Sequence, residues 1–189
     1  MTAPPPIDRL RTLLLERSVR RGDFILASGR RSSFYVDARR TTMSGEGQIV
    51  IGDLGVVRLG VRGWLPASVG GLTLGADPVA YAIAAAAHRA GVAIDAFTVR
   101  KQPKQHGTAG RVEGCFTGGT TVVIVEDVVT TGQSALEAIR AVEAEGARVL
   151  GVLAVVDRQE GGRAALEGAG YAVEALVTAA DLGLATHAG

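Results

Sequence analysis

The stretch VVIVEDVVTTGQSA, residues 122–135, passes from a run of aliphatic residues to two adjacent acids and then to hydroxyl residues around a glycine. The aliphatic run predicts a buried strand, and GQSALEAIRAVEAEG, residues 132–146, predicts a helix directly after it. Buried strands that lead into helices are typical of a parallel sheet, in which ligands bind at the carboxyl ends of the strands.

The same alternation of strand and helix continues on both sides of this stretch. Asp77 and Pro78 are predicted as the N-cap and first residue of a helix. The pattern predicts an α/β fold, a central parallel sheet flanked by helices. Strands are predicted at residues 67–71, 94–100, 121–127, 148–157 and 171–178, and helices at residues 48–64, 77–91, 132–146 and 161–170.

The N-terminal part of the chain predicts a smaller unit. After the prolines at residues 4–6, the spacing of Leu10, Leu13, Leu14 and Val19 predicts an amphipathic helix. The segments FILA (24–27) and FYVD (34–37), joined by a polar turn, predict a small hairpin-like hood. We expect one domain over residues 1–189, with the hood at about 7–40 and the core at about 46–183.

Composition narrows the class of partner. The chain of 189 residues is 47% hydrophobic, and its 20 basic and 19 acidic residues give a net charge of +1. This balance favours neither nucleic acid nor a membrane, and predicts a small-molecule partner. Cys115 is the single cysteine, the N-terminus does not resemble a secretory signal, and no apolar run reaches the length of a membrane span. We therefore expect a cytoplasmic protein.

The polar end of the opening stretch predicts a phosphate site. Thr130, Thr131, Gly132 and Ser134 would present hydroxyls and unpaired backbone N–H groups at a helix N-terminus, where anions bind. The segment is neither a P-loop nor a dinucleotide fingerprint. A ribose beside the phosphate would explain the acids, because ionised carboxylates accept hydrogen bonds from vicinal hydroxyls. The alternative is an ordinary helix capped by Ser or Thr.

The stretch resembles the phosphoribosyl pyrophosphate (PRPP) signature of the type I phosphoribosyltransferases, whose fold is a parallel sheet with flanking helices and a hood. The resemblance implies that Glu126 and Asp127 bind the ribose hydroxyls, with Asp127 also catalytic, and that the following segment binds the 5-phosphate. The PRPP-binding residues implied in this stretch are Glu126, Asp127, Val128, Val129, Thr130, Thr131, Gly132, Gln133 and Ser134.

A second segment, VRKQPKQHGTAGRVEG (99–114), is similar to the mobile catalytic loop of orotate phosphoribosyltransferases. The resemblance implies that Arg100, Lys101, Lys104 and His106 bind the pyrophosphate part of PRPP, with Lys104 and His106 catalytic. It also implies a homodimer with shared active sites, in which Lys101 or Lys104 crosses to the neighbouring subunit. Without the resemblance, a solvated basic surface loop would explain the segment equally well.

Two further segments resemble the same family. VVDR (155–158) implies that Arg158 binds the orotate carboxylate, together with Thr130, and SGRRSSFYVDAR (28–39) resembles the hood. Two lysines common in the family are replaced, by Ala27 and by Gly75, the latter in a loop where relatives often have a non-proline cis peptide.

The resemblance implies transfer of phosphoribose from PRPP to orotate, giving orotidine 5′-monophosphate and pyrophosphate in UMP biosynthesis, with Mg²⁺ on the diphosphate and no metal site of the protein's own. Two alternatives stay open. One is a phosphoribosyltransferase for a purine or uracil, and the other is a non-catalytic regulator of the same fold.

Overall fold

A computed structural model describes residues 5–25, 31–102 and 110–184 of the chain. The helices are α1 (Pro6–Arg17), α2 (Arg39–Thr42), α3 (Gly45–Val61), α4 (Ala76–Arg89), α5 (Gln133–Ala144) and α6 (Gly162–Gly168), followed by a 3-10 turn at Ala180–Leu182. The strands are β1 (Val19–Ile25), β2 (Arg31–Val36), β3 (Ser68–Leu72), β4 (Asp95–Val99), β5 (Val112–Gly114), β6 (Thr121–Val129), β7 (Arg148–Asp157) and β8 (Val173–Thr178).

A six-stranded sheet in the order β5-β4-β3-β6-β7-β8 forms the centre of the protein. All neighbouring pairs are parallel except β4 and β5, which are antiparallel. The predicted α/β fold with a central parallel sheet is therefore confirmed. The chain leaves β3 toward one edge of the sheet and β6 toward the other, so the crevice at the carboxyl ends of these two strands is a topological switch point.

Helices cover both faces of the sheet, because alternate residues of its central strands point to opposite sides. Val123 and Val125 of β6 pack in the cluster that also contains buried residues of α1, α3 and α4. Val122 and Ile124 pack in a second cluster with α5 and α6. All four side chains are fully buried, which explains why β6 is apolar without alternation.

The hood is an antiparallel pair of β1 and β2, preceded by α1. Leu10, Leu13 and Leu14 of α1 are fully buried, as the amphipathic pattern predicts. The expectation that Val19 continues this helix is wrong. Helix α1 ends at Arg17, and Val19 begins β1, where it pairs with Val36. Strand β1 therefore starts five residues before the predicted segment 24–27, and the short elements α2 and β5 were not predicted.

The start of α4 also differs from the prediction. Gly75, not Asp77, is the N-cap residue, and the helix begins at Ala76. The buried carboxylate of Asp77 instead accepts hydrogen bonds from Thr73 Oγ1 at 2.7 Å and Thr98 Oγ1 at 2.8 Å. Asp77 thus connects the ends of β3 and β4.

Within the described ranges, no helix is both long and apolar enough to cross a membrane. The predicted boundaries of hood and core stay predictions.

Candidate active site

The segment after β6 forms a small cavity of about 30 Å³, lined by residues 126 and 128–135. Gly132 is the N-cap residue of α5, with a φ of 80° that glycine adopts without strain, and no side chain caps the helix. The alternative of an ordinary Ser- or Thr-capped helix is therefore wrong, because the hydroxyls are not used as caps. The N-terminus of α5 can receive an anion at this cavity.

The same segment is packed from behind by the start of α6. A Cβ atom on Gly162 would lie 2.5 Å from the carbonyl oxygen of Thr130 and 2.9 Å from the backbone nitrogen of Gly132. A side chain at position 162 would therefore displace the backbone of the segment. The repeated glycine at 161–162 is the sequence signal for this contact, although the pattern predicted only a helix start there.

The two acids at the end of β6 lie in different environments. Glu126 is 5% exposed, and its Oε1 has no hydrogen-bond partner among the described residues. Burial, and secondarily the charge of Asp127, raises the pKa of Glu126 to about 8. A pKa of about 8 favours a neutral Glu126 at pH 7 in the free protein, whereas the sequence analysis expects an ionised pair. Burial also raises the pKa of Asp127, although a hydrogen bond from the backbone N–H of Val128 and the charge of Arg39 oppose this.

These acids open into a cleft of about 510 Å³ at the switch point of the sheet. The cleft brings together the hood, the loop after β3, the end of β6 and the end of β7. Its lining residues are Tyr35, Val36, Asp37, Ala38, Arg39, Leu72, Thr73, Leu74, Gly75, Lys101, Glu126, Asp127, Val128, Thr130, Thr131, Ser134, Arg158 and Glu160.

Arg158 lies at the inner side of this cleft and is only 4% exposed. Its guanidinium stacks on the ring of Phe34, with Cζ 4.8 Å from the ring centroid. Nη2 lies 2.7 Å from Glu160 Oε1 as an ion pair but without hydrogen-bond geometry, and Nε has no partner in the described part of the chain. A buried guanidinium with unused donors can accept a planar carboxylate from a ligand.

The predicted basic loop is only partly described. Lys104 and His106 lie outside the described residues. Lys101 is exposed and lines the cleft. Arg100 lines a second cleft of about 640 Å³, and its Nη1 donates to Glu113 Oε1 at 2.9 Å. The two ends of the loop are held together, because the backbone N–H of Arg100 donates to the carbonyl of Arg111 at 2.8 Å.

The loop after β3 contributes backbone to the cleft. The peptide bond between Thr73 and Leu74 is cis, as the resemblance led us to expect for this loop. A Cβ atom on Gly75 would lie 2.5 Å from Asp127 Oδ1, so position 75 has no room for a side chain while Asp127 keeps its place. Ala27, the other position where a family lysine is replaced, lies outside the described residues.

Sequence analysis missed several residues of the cleft. Tyr35, Asp37 and Arg39 belong to the hood motif, which predicted no role for them, and Glu160 is not part of any of the motifs. Asp37 Oδ1 accepts a hydrogen bond from Arg39 Nε at 2.8 Å. The spacing of two between Asp37 and Arg39, directly after a strand, was the available signal.

Comparisons with known proteins agree with this geometry. The family model described as a phosphoribosyl transferase domain matches residues 71–169. The curated orotate phosphoribosyltransferase of Mycobacterium avium is 46% identical over 182 residues, which are 96% of this chain and 99% of that protein. The chain belongs to the orotate phosphoribosyltransferase family. As a member of this family, the protein is an enzyme, a phosphoribosyltransferase.

Other members of the orotate phosphoribosyltransferase family have a similar sequence identity to this chain over most of their length. The protein of Aquifex aeolicus is 43% identical over 178 residues, which are 93% of this chain and 96% of that protein. The crystal structure of the Mycobacterium tuberculosis enzyme in complex with PRPP superimposes with a TM-score of 0.81 at 42% identity, covering 95% of this chain and 100% of that one.

Proposed function

We propose that this protein transfers the phosphoribosyl group of PRPP to orotate, giving orotidine 5′-monophosphate and pyrophosphate in pyrimidine biosynthesis. The observation that carries the proposal is the single cleft that combines a helix N-terminal phosphate site, two acids and a buried arginine with unused donors. The related enzyme of M. tuberculosis in complex with PRPP supports the first substrate, and the family name supports the second.

The phosphate site and the acids account for PRPP binding. In the proposed complex, the 5-phosphate accepts hydrogen bonds from backbone N–H groups and hydroxyls between Thr130 and Ser134. Asp127 and Glu126 bind the ribose hydroxyls. A neutral Glu126 can both donate and accept, so the hydroxyls can be bound without two adjacent negative charges. Val128, Val129, Gly132 and Gln133 contribute backbone to the same site.

Arg158 would orient orotate. Its stacking on Phe34 holds the guanidinium plane, and a bidentate contact to the orotate carboxylate would direct the N1 atom toward C1 of the ribose. In the reaction, the bond from C1 to the diphosphate oxygen breaks, the bond from C1 to N1 of orotate forms, and the N1 proton passes to the departing diphosphate or to water. Thr130 lies between the phosphate site and this carboxylate in the proposed arrangement.

We propose Mg²⁺ as the ion that accompanies the diphosphate. The described residues contain no group of three or more His, Cys, Asp and Glu side chains that could hold a metal ion. Asp37 is bonded to Arg39, and Asp127 accepts from a backbone N–H. This donor set fits an ion held by diphosphate oxygens and water, the usual manner for Mg²⁺ with phosphate substrates. When bound, the ion neutralises charge on the leaving diphosphate.

The loop residues Lys104 and His106 are proposed to stabilise the same leaving group, from the neighbouring subunit of a homodimer. Mixing Lys104→Ala protein with Asp127→Asn protein tests this arrangement. If the residues of one site come from two chains, hybrids contain one intact site, and activity should recover to about a quarter of wild type under independent sites. Activity that stays at the parental level after confirmed subunit exchange would contradict a crossing Lys104 and leave Lys101 to be tested.

The reaction itself is tested by following orotate absorbance after addition of PRPP and Mg²⁺, with adenine, hypoxanthine and uracil as alternative bases. We expect conversion of orotate alone. Conversion of another base in preference to orotate would contradict the substrate assignment, and PRPP binding without conversion of any base would contradict the enzymatic function. The cytoplasmic location stays a prediction.

A further inference from the structure

We propose that Arg39 of the hood donates hydrogen bonds to the diphosphate of PRPP and to free pyrophosphate, and that Asp37 holds the arginine in position. The inference rests on the proposed function and identifies a diphosphate-binding residue that the sequence motifs do not. It concerns the part of the cleft that the hood lines.

The position of Arg39 is fixed by the fold. The residue begins α2 directly after the hood strand β2. On either side of it the backbone is anchored, because Asp37 N–H donates to the carbonyl of Ser18 at 3.0 Å and the side chain of Thr41 is fully buried. Arg39 is therefore not carried on a loose segment, although its own side chain is 44% exposed.

The guanidinium of Arg39 is held in one orientation, but not all of its hydrogen-bond donors are used. Nε donates to Asp37 Oδ1 at 2.8 Å. In the described part of the chain, the two terminal nitrogens have no partner. An exposed ion pair of this kind contributes little to stability. A planar guanidinium that is anchored through Nε and presents its outer edge to a cleft is, however, pre-organised for a phosphate group.

The orientation of PRPP in the proposed complex also places its diphosphate near Arg39. With the 5-phosphate at Thr130–Ser134 and the ribose at the acids, the C1 substituent extends toward the other lining residues, which are the loop after β3, the hood and Lys101. The loop cannot supply a cation at position 75, since a Cβ atom there would meet Asp127. Arg158 faces Glu160 at 2.7 Å. Among the described cleft residues, Arg39 and Lys101 are the cations that remain for the diphosphate.

The charge of Arg39 acts at the reacting end of the cleft. Burial raises the pKa of Asp127, and the charge of Arg39 opposes this rise. The pKa of Arg39 is itself raised, mainly by its hydrogen bond to Asp37 and to a smaller extent by the charge of Asp127. The neighbouring Arg40 is also exposed but does not line this cleft. Arg40 lines an adjoining depression, which is also lined by Asp37, Arg39, Met43, Ser44 and Leu74. The two adjacent arginines therefore form a matched pair for an experiment, one inside the cleft and one outside it.

The test compares Arg39→Ala, Arg40→Ala and wild type by calorimetric binding of pyrophosphate, PRPP and ribose 5-phosphate, each in the presence of Mg²⁺. Arg39→Ala should weaken pyrophosphate and PRPP at least about tenfold, which corresponds to about 1.4 kcal/mol. Binding of ribose 5-phosphate should stay within about twofold of wild type. Arg40→Ala should bind all three ligands like wild type. Asp37→Asn should shift the pyrophosphate affinity in the same direction as Arg39→Ala, but less.

Wild-type pyrophosphate affinity in Arg39→Ala would overturn the proposal, and so would an equal loss for ribose 5-phosphate, which would indicate a structural role. If Arg39→Ala does not fold, Arg39→Gln keeps part of the side chain and a polar amide end, removes the charge and gives the same readout. The proposed function fails separately, when wild-type protein does not convert orotate. A selective loss of pyrophosphate binding in the Arg39 variant would support the diphosphate contact even in that case.

Discussion

Replacing Glu126 by glutamine should raise stability over wild type by about 1 kcal/mol at about pH 5 and by about 5 kcal/mol at about pH 9. Glu126 is 5% exposed, its Oε1 lacks a partner among the described residues, and burial raises its pKa from 4.5 to about 8. Glutamine has nearly the same shape as the neutral acid and cannot ionise. The variant therefore removes only the cost of a buried charge.

The sign and size of this stability change follow from the pKa values of Glu126 in the unfolded and folded states. Below pH 4.5 the carboxyl is protonated in both the folded and unfolded states, and its contribution to stability is complete. Between 4.5 and about 8 the unfolded state loses its proton first, so the free energy of unfolding falls as the pH rises. Each pH unit in this window costs about 1.36 kcal/mol, and almost all of the window lies between about pH 5 and pH 9.

Urea unfolding of unliganded protein at about pH 5, 7 and 9 measures the difference. Glu145→Gln, which removes an exposed acid at the end of α5, is the control for the loss of one carboxylate from the chain. The gap between Glu126→Gln and wild type should widen steadily with pH. A gap that is the same at all three pH values would refute the argument, because a fixed difference reflects packing and not ionisation.

Three further outcomes are expected. Arg158→Lys should raise the orotate KM by about tenfold or more while the PRPP KM changes little, because lysine cannot make a bidentate contact to a carboxylate; equal changes in both constants would indicate a structural role. Gly162→Ala should weaken phosphate binding about tenfold, because the added Cβ meets the Thr130 carbonyl at 2.5 Å, whereas Gly60→Ala, with open space around the added atom, should bind phosphate normally in the same titration. Lys104→Ala should lower kcat by about 10²–10³ while PRPP binding is retained, so nearly normal turnover would contradict its role.

The sequence predicted the central sheet well, because its strands are buried on both faces and their apolar runs are continuous. Strand β6 and the helix after it lie where the pattern places them, since Gly132 and the hydroxyl residues mark the turn. The hood was less predictable. Whether Val19 continues α1 or starts β1 depends on its pairing with Val36, which no local pattern encodes.

The candidate site, like the fold, could be predicted from the sequence only in part. The residue types of the PRPP motif were visible in the sequence, but the protonation of Glu126 depends on burial that only the packed sheet produces. Asp77 read as a helix cap because it precedes Pro78, yet its carboxylate is bound by two threonine hydroxyls from β-strand ends. Thr98 lies 21 residues from Asp77 in sequence, so spacing rules do not reach this contact.

The backbone hydrogen bond between Arg100 and Arg111 limits how far the basic loop can extend from the sheet. Both ends leave the sheet at one point, beside the antiparallel pair of β4 and β5. A chain of ten residues that must return to its origin can extend outward by no more than half its contour, about 17 Å. If Lys104 serves a neighbouring subunit, as proposed, the cleft of that subunit must lie within this distance, plus the length of one lysine side chain, of the β5 edge.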